Sequence, residues 1–194
     1  MAEGSEMLRR GLISSLLALG LLQASALAEL ELELYKRAPL ADLARIGDLE
    51  QVHRMLVAGQ SPNVSDFDDR PALIGAAMGG YLGVVAALVK YGARIDARDR
   101  AGNTALHLAA ERGHDDVVAA LIEAGARVDL ENREGVTPLI YSARAGRLAV
   151  TRRLIAARAP LDKQDYTGRT ALAWAETNGH RTVVETLKRA GARP

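Results

Sequence analysis

Gly102-Asn103-Thr104-Ala105-Leu106-His107-Leu108-Ala109-Ala110-Glu111-Arg112-Gly113-His114 decides the fold, because most of its positions recur at one fixed distance along the chain. Leu106 stands in the series Leu40, Leu73, Leu106, Leu139 and Leu172, with steps of 33 residues. Gly113 stands in Gly47, Gly80, Gly113, Gly146 and Gly179, with the same step. Gly59, Gly92, Gly125 and Gly191 keep that period, and Arg158 fills their fourth slot. Asp66, Asp99, Asn132 and Asp165 open successive units, and Gly102, Gly135 and Gly168 follow three residues later. One period held in several registers marks a stack of repeats, in which no unit can bury its apolar face without its neighbour.

Each register has a local physical role. Thr104-Ala105-Leu106, Thr137-Pro138-Leu139 and Thr170-Ala171-Leu172 read as helix starts, since a threonine hydroxyl caps free N–H groups and proline suits the first helical position. Ala76, Ala109, Ser142 and Ala175 keep side chains small where neighbouring first helices touch. Gly80, Gly113, Gly146 and Gly179 end those helices in a left-handed residue. Val84-Val85, Val117-Val118 and Val183-Val184, with Leu88, Leu121, Leu154 and Leu187, give each second helix an apolar stripe. Gly-Ala, as in Gly92-Ala93 and Gly125-Ala126, then closes that helix.

With this period, the stretch from Gly102 to His114 resembles the ankyrin repeat almost without departure, and the resemblance runs from about Ala38 to Pro194. It implies an all-α repeat fold, a solenoid of about five helix–turn–helix units with short β-hairpin tips. The units fall at about 38–65, 66–98, 99–131, 132–164 and 165–194. Departures from the pattern carry expectations of their own. Gln51 in the first unit, and Glu176 and Lys188 in the last, put polar groups on end faces that meet water. Asp69 in place of the hairpin glycine and Pro71 in place of the capping threonine predict a second-unit hairpin of different shape. Arg158-Ala159-Pro160 in place of Gly-Ala leaves the fourth-unit turn open, with Pro160 able to stop the helix.

Composition agrees with closely packed helices: 48% of residues are hydrophobic but only 4% aromatic. Lys+Arg 25 against Asp+Glu 24 supplies no general drive toward nucleic acid or anionic lipid. The absence of cysteine excludes disulfides, thiolate metal sites, a cysteine nucleophile and a lipid-modified N-terminal cysteine.

Before the repeats the chain reads as an address. Met7-Leu8-Arg9-Arg10 precedes an apolar run from Leu12 to Leu22 and then Ala24-Ser25-Ala26-Leu27-Ala28. A basic start, a short apolar middle and small residues at the end form a secretory signal over 1–28. The apolar run is about half the roughly 20 residues that span a bilayer as a helix. Cleavage is expected after Ala28, leaving a short acidic segment, 29–37, ahead of the repeats. The alternatives are an uncleaved anchor and a buried N-terminal helix, and Met7 competes with Met1 as the true start. Arg9-Arg10 matches a twin-arginine motif poorly in its flanks, which favours export of the unfolded chain. The short Ala/Leu-rich signal and the preference for arginine over lysine suggest a bacterial source, hence a periplasmic or secreted protein.

Chemistry is sparse. His107, His114 and His180 sit at motif positions that, by the resemblance, hydrogen-bond neighbouring backbone, and His53 reads as solvated. No zinc-protease, nucleophile-elbow or phosphate-loop pattern occurs, so no catalytic, cofactor or metal residue is assigned. Asp66, Asp68 and Asp69 lack the spacing and distal glutamate of a calcium loop. Asn63-Val64-Ser65 fits a glycosylation sequon that matters only in a eukaryotic secretory pathway.

What remains is the surface that the resemblance marks for binding, the hairpin tips and the concave side of the first helices. Its candidates are Phe67, Asp68 and Arg70; Arg100 and Asn103; Arg133 and Glu134; and Tyr166 and Arg169 on the tips. On the helices they are Met78, Glu111, Arg112, Tyr141, Arg144, Trp174 and Asn178. Six arginines against three acids make this face basic, with hot-spot residue types among them. The expected function is a monomeric scaffold that binds another periplasmic protein as an accessory or protective partner. The alternative is an inhibitor or immunity protein that neutralises a toxin or enzyme.

Overall fold

A computed structural model describes residues 40–193. The signal reading, its cleavage point, the segment 29–37 and the ends of the repeat array at Ala38, Pro39 and Pro194 lie outside those residues. The described chain forms ten helices in five pairs. The first helices are α1 (Leu40–Ile46), α3 (Ala72–Gly79), α5 (Ala105–Arg112), α7 (Pro138–Arg144) and α9 (Ala171–Thr177). The second helices are α2 (Leu49–Val57), α4 (Leu82–Lys90), α6 (Asp115–Glu123), α8 (Leu148–Ala156) and α10 (Arg181–Arg189). Each first helix packs on the next first helix, each second helix on the next second helix, and each pair on itself.

That contact pattern follows from the registers. Leu40, Leu73, Leu106, Leu139 and Leu172 are all buried, and so are Val52, Val85 and Val118 with Leu88, Leu121, Leu154 and Leu187. Burying one such leucine is worth about 1.5–3 kcal/mol, and the benefit needs the neighbouring unit in place. Thr137 and Thr170 hydroxyls accept from the amides of Ile140 and Ala173 at 3.3 and 3.2 Å, as the capping reading requires. The fourth unit places Ser142 and Thr151 where its neighbours have Ala and Val. Their hydroxyls stand 3.0 Å apart and are also bonded to the carbonyls of Leu139 and Arg147, so neither is buried unsatisfied. The end units differ as expected: Gln51 is half-buried, and Glu176 pairs with Lys188 at 2.8 Å.

One expectation is corrected, and one turn that the sequence left open is resolved. The second-unit hairpin keeps the shape of the others. Asp69 adopts a left-handed φ of 61°, its amide donates to Asp66 O at 3.0 Å, and Arg70 N donates to Asp66 Oδ1 at 2.9 Å. Gly102 and Asn103 make the same bonds to Asp99 in the third unit. Aspartate reaches this region more readily than most residues. The fourth-unit turn is also regular: Arg158 takes φ 61°, and Ala159 N donates to Leu154 O at 2.9 Å, as Ala126 N does to Leu121 O. Arg158, not Pro160, provides the reversal.

Pro160 has a different consequence. Asn63 Oδ1 accepts from Arg94 N, Asp96 Oδ1 from Arg127 N and Asp162 Oδ1 from Arg193 N, at 2.7–3.2 Å and always 31 residues apart. These bonds clasp successive turns. At the junction that Pro160 occupies there is no N–H to give. Lys163 crosses there instead, donating to Asp129 O at 3.2 Å and pairing with Glu131 at 2.5 Å. The sequon asparagine is therefore a clasp, its Nδ2 also donating to Gly92 O at 3.2 Å.

Candidate protein-binding face

The first helices and hairpin tips present a face built from three positions that recur from unit to unit. Gly75, Leu108, Tyr141 and Trp174 share a register on α3, α5, α7 and α9. Met78, Glu111 and Arg144 share another, one helical turn further along. At the tips, Phe67, Arg100, Arg133 and Tyr166 occupy the same place.

The structure gathers one group of the candidates into a network across units 3 to 5. Asn132 Nδ2 donates to Asn103 Oδ1 at 2.8 Å and to Tyr141 Oη at 3.2 Å. Both Asn103 and Tyr141 are only 7% exposed, so the expectation that they offer surface is corrected. They form the floor beneath the face. The buried Leu108 at the preceding step of the Tyr141 register was the available signal. Burial, and then Glu111, push the Tyr141 phenol above its ordinary range, so it remains a neutral donor.

Above that floor, the Arg144 guanidinium lies 4.7 Å from the Tyr141 ring centroid and 5.6 Å from that of Trp174. Arg169 lies 4.6 Å from the same indole. Cation–π contacts of this kind hold flexible arginines in place. Glu111 pairs with Arg144 at 3.6 Å, and Asn178 Nδ2 donates to Arg144 O at 2.7 Å. Trp174 Nε1 donates to Asp165 Oδ2 at 2.6 Å. Burial alone would raise the Asp165 carboxyl. Hydrogen bonds from Thr167, Trp174 and the amides of Arg169 and Thr167 outweigh it and hold the group below the usual carboxylate range. Asp165, absent from the sequence candidates, is thus the residue that orients Trp174.

Other candidates stay apart from this network. Phe67 is 87% exposed and Tyr166 76% exposed at the two ends of the tip row. Asp68, Arg100, Arg112, Arg133 and Glu134 are exposed, and Arg70 and Met78 half-exposed, while Arg169 and Asn178, which join the network, are exposed as well. Arg112, Arg133 and Arg169 pair with no carboxylate among the described residues, and the Nε of Arg70 is buried without a hydrogen-bond partner.

The tips themselves are joined. Arg133 N donates to Ala101 O and Tyr166 N to Glu134 O, both at 2.9 Å, which ties units 3, 4 and 5 into one row. The glycines allow this approach, for a β-carbon on Gly102 or Gly135 would stand 3.0 Å from the incoming amide nitrogen. Asp69 carries that β-carbon, and Arg100 N makes no such bond. The second tip is set apart from the row by one side chain.

Three of the histidines, His107, His114 and His180, are structural, as the motif implies. His107 Nδ1 accepts from Thr104 N at 3.1 Å and its Nε2 donates to Val136 O at 3.1 Å, tying unit 3 to unit 4. His114 and His180 donate through Nε2 to Met78 O and Arg144 O, each at 3.1 Å. Arg147 does the same to Glu111 O at 2.9 Å. Among the described residues no group of histidines and carboxylates could hold a metal ion, and no helix is long and apolar enough to cross a membrane.

A solenoid of helix pairs with a tip row and a polar, arginine-bearing face is the architecture of a repeat scaffold for binding proteins. The chain belongs to the ankyrin-repeat family: the family described as ankyrin repeats (3 copies) matches residues 40–132 and 125–194. Among curated proteins, putative glutaminase 2 of Caenorhabditis elegans is 39% identical over 69 residues. That stretch is 35% of this chain and 11% of that protein, so the chain spans a small part of its relative's length. Ankyrin repeats make this protein an interaction scaffold, and the short match carries no activity to it.

Proposed function

We propose that this protein is an exported, periplasmic accessory protein of a bacterium, which binds and protects another protein through the face of its first helices and tips. One observation carries the reading: Arg144 and Arg169 are held on the Tyr141 and Trp174 rings, and Arg112, Arg133 and Arg169 stand exposed with no carboxylate partner among the described residues. Arginine and tryptophan are the side chains most often responsible for binding energy at interfaces, and cations held ready on aromatic rings lose little freedom on docking. Export is supported by the basic, apolar and small-residue succession over 7–28.

The test is capture by crosslinking in the native compartment, with wild type and with the triple variant Arg100→Glu, Arg133→Glu, Arg169→Glu. Loss of the captured protein with unchanged helical content supports the reading, and undiminished capture defeats it. Mass spectrometry of the exported protein should find Glu29 at its N-terminus.

A further inference from the structure

We infer that the row of tips takes an acidic segment of the partner in polyproline II conformation, with a carboxylate at every third residue. The inference rests on the binding face proposed above and names what that face recognises.

The row reads Phe67, Arg100, Arg133, Tyr166, so two cations at consecutive units are flanked by two exposed aromatic rings. Arg133 has no carboxylate partner among the described residues, and Arg100 meets Asp69 only at 4.0 Å with both side chains well exposed, a contact that a better-placed carboxylate displaces. Arginine presents a planar fork of donors that suits a carboxylate in two-point contact. Because each unit packs its first helix on the next, the tips are spaced at the general pitch of packed helices, about 8–10 Å. Polyproline II has three residues per turn and rises about 3.1 Å per residue, so every third side chain points the same way at about 9 Å intervals. A β-strand alternates its side chains and puts same-side residues at about 7 or 13 Å, which misses the pitch. Segments in this conformation are also bound characteristically between aromatic side chains, the part that Tyr166 and Phe67 supply. Asp68 and Glu134, one residue past Phe67 and Arg133, interrupt the positive row and oppose a continuous phosphate backbone.

The probe is a labelled peptide repeating glutamate–proline–proline with leucine at both ends, titrated with the full chain at low and moderate salt. The single tryptophan, Trp174, reports independently on the same face. Binding should weaken about tenfold for Arg100→Glu and for Arg133→Glu, the loss of one charge-assisted contact each. Arg152→Glu, exposed on α8 away from the tips, should leave it unchanged. A peptide of the same composition with its glutamates gathered at one end should bind about tenfold more weakly. Equal binding of that peptide overturns the register. Tighter binding of an alanine-rich peptide with glutamates seven apart shows a helical partner and overturns the conformation. Tighter binding of a single-stranded oligonucleotide overturns the chemistry. If native capture depends on these arginines while the repeating peptide fails, the face stands and this inference falls. If native capture ignores the arginines, both fall.

Discussion

Asp69 Oδ2 and Arg100 Nε stand 4.0 Å apart across the junction of the second and third tips, where the next two junctions are closed by a backbone hydrogen bond. The ion pair takes the place of the missing bond, and the Asp69 β-carbon is the reason it is missing. A contact between two charges that are both well exposed contributes little to stability, and it yields readily to solvent or to a ligand.

Asp69→Gly should therefore close the row. It relieves a left-handed residue of its side chain and lets Arg100 N reach Asp68 O, as Arg133 N reaches Ala101 O. Relief of strain and one new hydrogen bond, less the entropy of an added glycine, should stabilise the protein by about 1 kcal/mol. Amide exchange at Arg100 is the direct check. It should slow in the variant, and an unchanged rate means the side chain is not what separates the tips.

Arg158→Gly tests the other left-handed position without a junction to close. Arg158 is exposed at φ 61° and forms no ion pair among the described residues. The expected gain is smaller, about 0.5–1 kcal/mol, and purely conformational. In urea the midpoint should rise with no change of slope. A loss of stability would mean that the arginine side chain contributes something its surroundings do not reveal.

These two positions also show what a sequence makes legible. Glycine spacing predicted the turns correctly, but the absence of glycine did not predict their loss. The left-handed conformation costs Asp69 and Arg158 only about 1–3 kcal/mol each, and the packing of whole units on either side imposes it. The tip-row gap depends on a β-carbon meeting an amide one unit away, a distance no periodicity records. Likewise Trp174 was legible as a surface aromatic, whereas Asp165 read only as a turn former, because its second oxygen meets the indole nine residues later. Asn103 and Tyr141 read as surface because they fall at the tip and first-helix positions that the resemblance marks for binding. They are buried because they satisfy each other through Asn132.

His107 should make the fold sensitive to acid. Its burial, set against its bond to Val136 O, lowers its pKa from 6.5 to about 4. Its Nδ1 accepts from the Thr104 amide at 3.1 Å and stands 2.9 Å from the Thr104 hydroxyl, so a proton there breaks the bond from the amide. Between pH 6.5 and about 4 the unfolded chain binds a proton at this residue that the folded chain refuses. Stability from this group is therefore full above pH 6.5 and falls as pH drops toward 4. The loss is about 3 kcal/mol if the depression is complete. His107→Gln should be less stable at pH 7, yet the difference from wild type should shrink by that amount at pH 4. A difference independent of pH would show that the imidazole takes up a proton as readily in the folded protein as in the unfolded chain.

Gly80 and Gly125 separate backbone strain from crowding, since both have positive φ but only one is covered. A β-carbon on Gly80 would come within 2.7 Å of the His114 ring, which is itself held by Met78 O at 3.1 Å. A β-carbon on Gly125, at φ 94°, meets nothing within 4 Å. Gly125→Ala should then cost only the strain, about 1–2 kcal/mol. Gly80→Ala must in addition displace the imidazole and break its bond to the preceding unit, for a total of about 3–4 kcal/mol. The double change Gly80→Ala with His114→Ala removes the obstacle, so its cost should be less than the sum of the single changes. Additive costs would mean that His114 does not press on Gly80, and that the interlock between units runs through the helices alone.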